Sequence, residues 1–115
     1  MTRSVPAKFS LGLALGLACA CVSCGGQGPK PNIYGDDPAE QIPGMKKAAR
    51  EGDRKVVPEL VKQLESDDAA IRFYAIESLK RLTGQDLGYR YFEDEPGRKD
   101  AVERWKAWEQ TTAKP

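Results

Sequence analysis

The spacing of apolar residues from Asp36 onward is the feature that most constrains the fold of this chain. These residues recur at steps of three and four, which is the period of an α-helix that buries one face. Met45, Ala48 and Ala49 form the first such stripe, and Ile71, Ala75, Leu79 and Leu82 form the longest one. The pattern therefore predicts an all-α fold for this part of the chain.

Capping and helix-breaking residues divide this part into four predicted helices. Gly52 and Gly84 are expected to end helices because glycine readily adopts the left-handed conformation of a helix C-terminus. Asp68 is a good N-cap, and Pro43 is expected to delay the regular part of the first helix. The predicted helices span about residues 38–51, 54–65, 68–83 and 97–111.

Aromatic residues are concentrated near the C-terminal end of the predicted domain. Trp105 and Trp108 share one face of the last helix, where each indole ring could bury roughly 150–250 Å². The preceding segment, residues 85–96, shows no helical period and is predicted to be a loop. Four of its side chains are expected to fold back onto the helices: Leu87, Tyr89, Tyr91 and Phe92.

The segment over residues 55–84 resembles one HEAT repeat. Both of its predicted helices carry residues of the family's pattern, namely Pro58, Leu60, Leu64, Asp68, Ile71, Arg72, Ala75 and Leu79. The resemblance implies a short right-handed α-solenoid of about four helices, with one helical pair covered by one helix on each side. It also implies a role in binding other proteins, and it makes Arg72 structural, bonded to an Asp or a carbonyl group at a turn. Asp68 and Asp86 are the predicted carboxylate partners.

The first 23 residues have the composition of a secretory signal peptide. Arg3 and Lys8 precede an uncharged apolar run over residues 9–18, and small residues follow. This run is shorter than the roughly 20 residues that cross a bilayer as a helix. We therefore expect export from the cytoplasm.

All three cysteines lie directly after this apolar run and resemble the processing site of bacterial lipoproteins. Val22 and Ser23 fit the family's pattern before a lipidated Cys24, and Cys21 and Cys19 are rival sites. The resemblance implies a chain anchored by lipid to a membrane of the bacterial cell envelope. Cleavage after Ala20, which would give a soluble periplasmic or secreted protein, is the alternative. The predicted organisation is a signal peptide over residues 1–23, a lipidated Cys and flexible tether over 24–35, and a HEAT-like domain over 36–115.

Composition excludes several kinds of chemistry. The chain contains no His, and every Cys lies before residue 25, so the predicted domain lacks Ser-His-Asp catalysis, Cys-His catalysis and His- or Cys-ligated zinc. No metal or cofactor site is expected. Residues 1–23 hold two of the 18 basic residues and none of the 17 acidic ones, which leaves a net charge of minus one. This balance and the predicted export argue against nucleic acid as a partner.

Two groups of side chains are candidates for a partner surface. Lys46, Lys47 and Arg50 lie in the basic cluster of the first helix, and Arg90 and Tyr91 lie in the loop. The predicted function is a non-catalytic scaffold that binds an unknown envelope protein and reaches the membrane through its lipid anchor. A small envelope enzyme or ligand-binding lipoprotein that uses the loop from Tyr89 to Glu95 is the alternative.

Overall fold

Residues 28–112, which the computed structural model describes, contain four α-helices and no strand. The helices are α1 (Pro38–Glu51), α2 (Val57–Gln63), α3 (Ala69–Thr83) and α4 (Glu95–Thr112), and a short 3-10 helix (Arg54–Val56) precedes α2. The predicted all-α fold is therefore confirmed for this part of the chain.

Helix α1 spans the predicted residues and is capped at both ends. The Asp37 side chain accepts a hydrogen bond from the Ala39 amide at 2.8 Å, and Gly52 ends the helix in the left-handed region at φ 69°. The expected interruption at Pro43 is wrong, since α1 runs through it. Pro43 removes only the amide that would pair with the carbonyl of Ala39, and Ala39 is exposed, so water can solvate that carbonyl.

The ends of α3 agree with the sequence analysis. The Asp68 carboxylate accepts hydrogen bonds from the amides of Ala70 and Ile71, at 2.8 and 3.4 Å. Gly84 closes the helix at φ 78°. Pro58 lies in the first turn of α2, where its missing amide leaves no helical bond unmade.

The core forms where α3 packs against α1 and α2, and α4 packs against α2. Its fully buried members include Met45, Leu60, Leu64 and Trp105. Trp108 is half-buried and meets Trp105 edge to face, with the ring centroids 5.4 Å apart. Trp105 is thus fully buried in the core, as predicted, whereas Trp108 is only partly buried.

The core includes a residue that precedes the first helix and that the helical period does not indicate. Ile33 is only 6% exposed and packs into the core, although the sequence analysis places it in the tether. The Asn32 amide donates to the carbonyl of Glu40 at 2.9 Å, which fixes this segment against α1. The close approach requires Gly44, because a Cβ there would lie 2.5 Å from the Ile33 nitrogen.

Within residues 28–112, no helix has both the length and the apolar character needed to cross a bilayer.

Candidate binding surface

The loop between α3 and α4 is held by side chains that bind its carbonyl groups. Each of four donors from the helices reaches one carbonyl: Trp105 Nε1 to Asp86 at 3.0 Å, Arg104 Nε to Leu87 at 2.7 Å, Arg72 Nε to Tyr91 at 3.0 Å, and Arg98 Nη1 to Glu93 at 2.6 Å. Because each of these acceptors is satisfied by a helix side chain, the loop has a defined path despite its lack of helical period.

Tyr89 anchors the middle of the loop. Its ring is buried, and its hydroxyl donates to the carbonyl of Leu64 at 2.7 Å, at the C-terminal end of α2. Burial raises the pKa of Tyr89 to about 12, since the ionised phenolate would lose its hydration. Leu87 and Tyr91 also pack against the core as predicted, whereas Phe92 does not and is 68% exposed.

Arg72 is structural, as the resemblance implies, but neither predicted carboxylate is its partner. Its Nη1 donates to the carbonyls of Ser66 and Asp67 at 2.8 and 2.9 Å, in the turn between α2 and α3. Asp68 instead caps α3, and the Asp86 carboxylate accepts from the Gly88 amide at 2.8 Å. Both carboxylates thus accept hydrogen bonds from nearby backbone amides. The guanidinium of Arg72 donates to the turn carbonyls instead.

The other residues of the quoted repeat pattern lie mainly in the core. Leu60, Leu64, Ile71, Ala75 and Leu79 are each no more than 1% exposed, whereas Pro58 is exposed at the start of α2. These positions therefore serve packing.

A groove of about 550 Å³ lies between α1 and α3, and we call it the cationic groove. Its lining combines four basic side chains with two aromatic rings, two small residues and one acid: Lys46, Ala49, Arg50, Phe73, Tyr74, Glu77, Ser78, Lys80 and Arg81. The ammonium group of Lys46 lies over the Tyr74 ring, 5.6 Å from its centroid. The groove thus contains two of the predicted surface residues, Lys46 and Arg50.

Aromatic side chains connect the cationic groove to the loop. Successive ring centroids are 5.0 Å apart from Tyr74 to Phe73, 5.1 Å from Phe73 to Tyr91, and 5.4 Å from Tyr91 to Phe92, all in edge-to-face geometry. We call these four residues the aromatic row. The row runs from the half-buried Tyr74 to the exposed Phe92, so one continuous surface includes Lys46, Arg50 and Tyr91.

The remaining predicted surface residues lie outside the groove lining. Arg90 is exposed beside Tyr91 in the loop. Lys47 pairs with Glu51 at 3.9 Å and lines a separate depression that also includes Tyr34. The sequence analysis missed Phe73, Tyr74 and Arg81 as surface residues. Phe73 and Tyr74 could have been identified, because they are large aromatic residues that lie outside the buried stripe of α3.

Charge in the cationic groove is unbalanced. Lys80 pairs with Glu77 at 3.2 Å, while the other ion pairs found among residues 28–112 involve Lys47 and Lys106. Lys46, Arg50 and Arg81 have no carboxylate within ion-pair distance in that range. The groove therefore presents three uncompensated cations around an aromatic floor.

Acidic residues of the described part do not converge into a metal site. No group of three or more His, Cys, Asp or Glu side chains there has the arrangement to hold a metal ion. The Asp94 carboxylate, in the acidic stretch of the loop, accepts a hydrogen bond from the Gly97 amide at 2.9 Å in the first turn of α4.

The predicted signal peptide and the candidate lipidation sites Cys24, Cys21 and Cys19 lie outside the residues that the structure describes. No protein-family model matches the chain, and the searches of curated proteins and of solved structures also find no match.

Proposed function

We propose that this protein is a non-catalytic scaffold module of the bacterial cell envelope. It forms a short right-handed α-solenoid, a HEAT-like stack of helical hairpins, held at a membrane by a lipid on Cys24. It binds another envelope protein through the cationic groove and the aromatic row. The single observation that carries the binding role is the continuity of these two features on one surface.

The order of helix packing supports the solenoid. In a stack of hairpins, each helix packs against its hairpin partner and against the equivalent helix of the next hairpin. Here α2 and α3 form the complete pair, α1 packs on α3, and α4 packs on α2. Helix α1 thus takes the place of the second helix of a preceding pair, and α4 that of the first helix of a following pair.

The composition of the surface supports protein binding. Tyr, Phe and Arg are enriched at protein interfaces because they combine large apolar area with polar or charged groups. Phe92, at the exposed end of the row, leaves 68% of its surface open to water. A partner that covers Phe92 and the half-buried rings beside it would gain their hydrophobic burial.

The loop supports a scaffold better than the alternative of an enzyme. Tyr89, its most perturbed titratable group, is buried and already bonded to a carbonyl. Because the pKa of Tyr89 is raised, its phenol stays protonated near neutral pH, and a protonated phenol is a poor general base. The helix side chains that donate to the loop carbonyls hold the loop in one conformation and do not bring a reactive group into place.

Substitution of Phe92 tests the proposed binding role. Tagged full-length protein is expressed in its own host, crosslinked in intact cells and purified from the envelope fraction. We expect a specific protein to be recovered with the wild type and its yield to fall at least fivefold with Phe92→Ala.

Tyr34→Ala is the matched control, because Tyr34 is an aromatic residue of similar exposure, 64%, on a different part of the surface. It should retain the partner. Recovery of no specific protein, or equal loss with both variants, would contradict the proposed function.

A further inference from the structure

We infer that the cationic groove is the site for an acidic peptide segment of the partner, one that carries apolar side chains as well as Asp or Glu. The inference rests on the proposed function and specifies the chemistry of the segment that binds.

Charge is the first argument. Lys46, Arg50 and Arg81 line the groove without a carboxylate partner among residues 28–112. The one acid in the lining, Glu77, is occupied by Lys80. Carboxylates of a ligand would meet two guanidinium groups, which can form bidentate hydrogen bonds, and one ammonium group. A neutral or basic segment would leave the three cations uncompensated.

The floor of the groove is the second argument. Phe73 and Tyr74 present half-buried rings, and Ala49 and Ser78 are small, so the space between α1 and α3 is open to an inserted side chain. Ser78 is buried in the lining, and its hydroxyl donates to the carbonyl of Met45 at 3.4 Å. An acidic ligand without apolar groups would leave this floor hydrated, which is why the segment must carry both kinds of side chain.

Shape distinguishes a peptide from an anionic membrane surface. The cationic groove is a recess of about 550 Å³, and its aromatic floor lies between the two helices. A peptide can place a side chain in the recess between α1 and α3, whereas a flat bilayer surface would contact only its rim. Lys47, which would have to join a membrane-binding face of α1, lies outside the groove and lines a separate depression.

A display selection tests the occupant. A random dodecapeptide library is selected against the purified full-length protein, and the enriched peptides are synthesised for affinity measurements. We expect enrichment of acidic peptides that also contain Leu, Phe or Trp. The charge-reversal variant Lys46→Glu/Arg50→Glu/Arg81→Glu should bind them at least tenfold more weakly, and their affinity for the wild type should fall as salt is raised.

The matched control is Lys55→Glu/Lys62→Glu/Lys99→Glu, which makes the same change in net charge at three exposed lysines outside the groove. It should bind the selected peptides like the wild type, and circular dichroism should show both variants folded. Enrichment of no peptide, enrichment without acidic bias, or equal losses in the two variants would overturn the inference. So would binding of the wild type to phosphatidylglycerol vesicles that the groove variant alone loses, since the occupant would then be a lipid surface.

The two proposals fail separately. If an envelope partner is still recovered with the groove variant and lost with Phe92→Ala, the scaffold function stands and the acidic occupant of the groove is wrong. If no envelope partner is recovered although acidic peptides bind, the scaffold function is wrong. The inference that the groove binds acidic peptides would still stand.

Discussion

Tyr89 shows how one side chain joins two elements of this small domain. Its hydroxyl satisfies the carbonyl of Leu64, a group that a helix end leaves without an amide partner. Sequence analysis predicted that the ring would fold back, because aromatic residues in a loop without helical period need a place to be buried. It could not predict the acceptor, since a backbone carbonyl has no signature in the sequence.

The same limit explains the error at Arg72. The resemblance allows an Asp or a carbonyl group as the partner of Arg72, but only a carboxylate can be located in a sequence, so Asp68 and Asp86 were the partners that could be named. Capping residues are more readable, because Asp68 and Gly84 act within their own few residues and need no tertiary information.

Replacing Tyr89 by Phe tests the role of the hydroxyl. Below about pH 10 we expect the wild type to be more stable by about 1–2 kcal/mol, since the variant leaves the Leu64 carbonyl unpaired. Folding raises the pKa of Tyr89 from 10.0 to about 12, so between these values the unfolded chain ionises while the folded one stays neutral. The advantage of the wild type should therefore shrink by up to about 1.4 kcal/mol per pH unit in that window.

The measurement is urea unfolding of the wild type and Tyr89→Phe from pH 7 into the alkaline window. Tyr34→Phe is the control, because this exposed residue should change stability by less than about 0.5 kcal/mol at every pH. A stability gap between the wild type and Tyr89→Phe that stays constant across the window would refute the buried, neutral phenol.

At the scale of elements, the helical period located every helix, but the interruption expected at Pro43 and the expected start of the ordered part were wrong. Helix α1 continues through Pro43, since losing one hydrogen bond to an exposed carbonyl does not offset the packing of Met45, Ala48 and Ala49. The segment before α1 contributes Ile33 to the core, and a lone apolar residue between Pro, Gly and polar residues carries no period that could reveal this.

Gly44→Ala should separate helix propensity from tertiary packing in α1. In an isolated helix this change is stabilising by about 1 kcal/mol. In the protein, the new Cβ would lie 2.5 Å from the backbone nitrogen of Ile33, so the segment over residues 32–33 must move. We expect a net destabilisation of about 1–2 kcal/mol by thermal or urea unfolding, together with faster proteolysis before α1.

Gly97→Ala is the matched control in α4, because its new Cβ would meet side-chain atoms of Glu93 and Asp94 and no backbone atom of another segment. Its stability should equal or exceed that of the wild type. An unchanged or increased stability of Gly44→Ala would show that residues 32–33 do not depend on close contact with the helix.

At the scale of the whole molecule, the position of Ile33 bears on the proposed anchor. If Cys24 carries the lipid, only eight residues lie between it and Ile33, whose side chain is fixed in the core. Fully extended, they span at most about 30 Å. A domain tethered this closely would expose its cationic groove and aromatic row only to molecules near the membrane surface, which is the reason to seek the partner in the envelope.

Lipidation itself is tested by metabolic labelling with radioactive palmitate in a bacterial host. We expect the wild type to incorporate label and to stay with membranes after a carbonate wash, because two or more acyl chains anchor a protein stably. Cys24→Ser should lose the label, whereas Cys19→Ser and Cys21→Ser should keep it. Loss of label in one of these two instead would move the anchor, lengthen the tether and extend the reach of the groove. If the wild type is not labelled, the alternative of a soluble exported protein applies. The membrane would then no longer restrict the choice of partner.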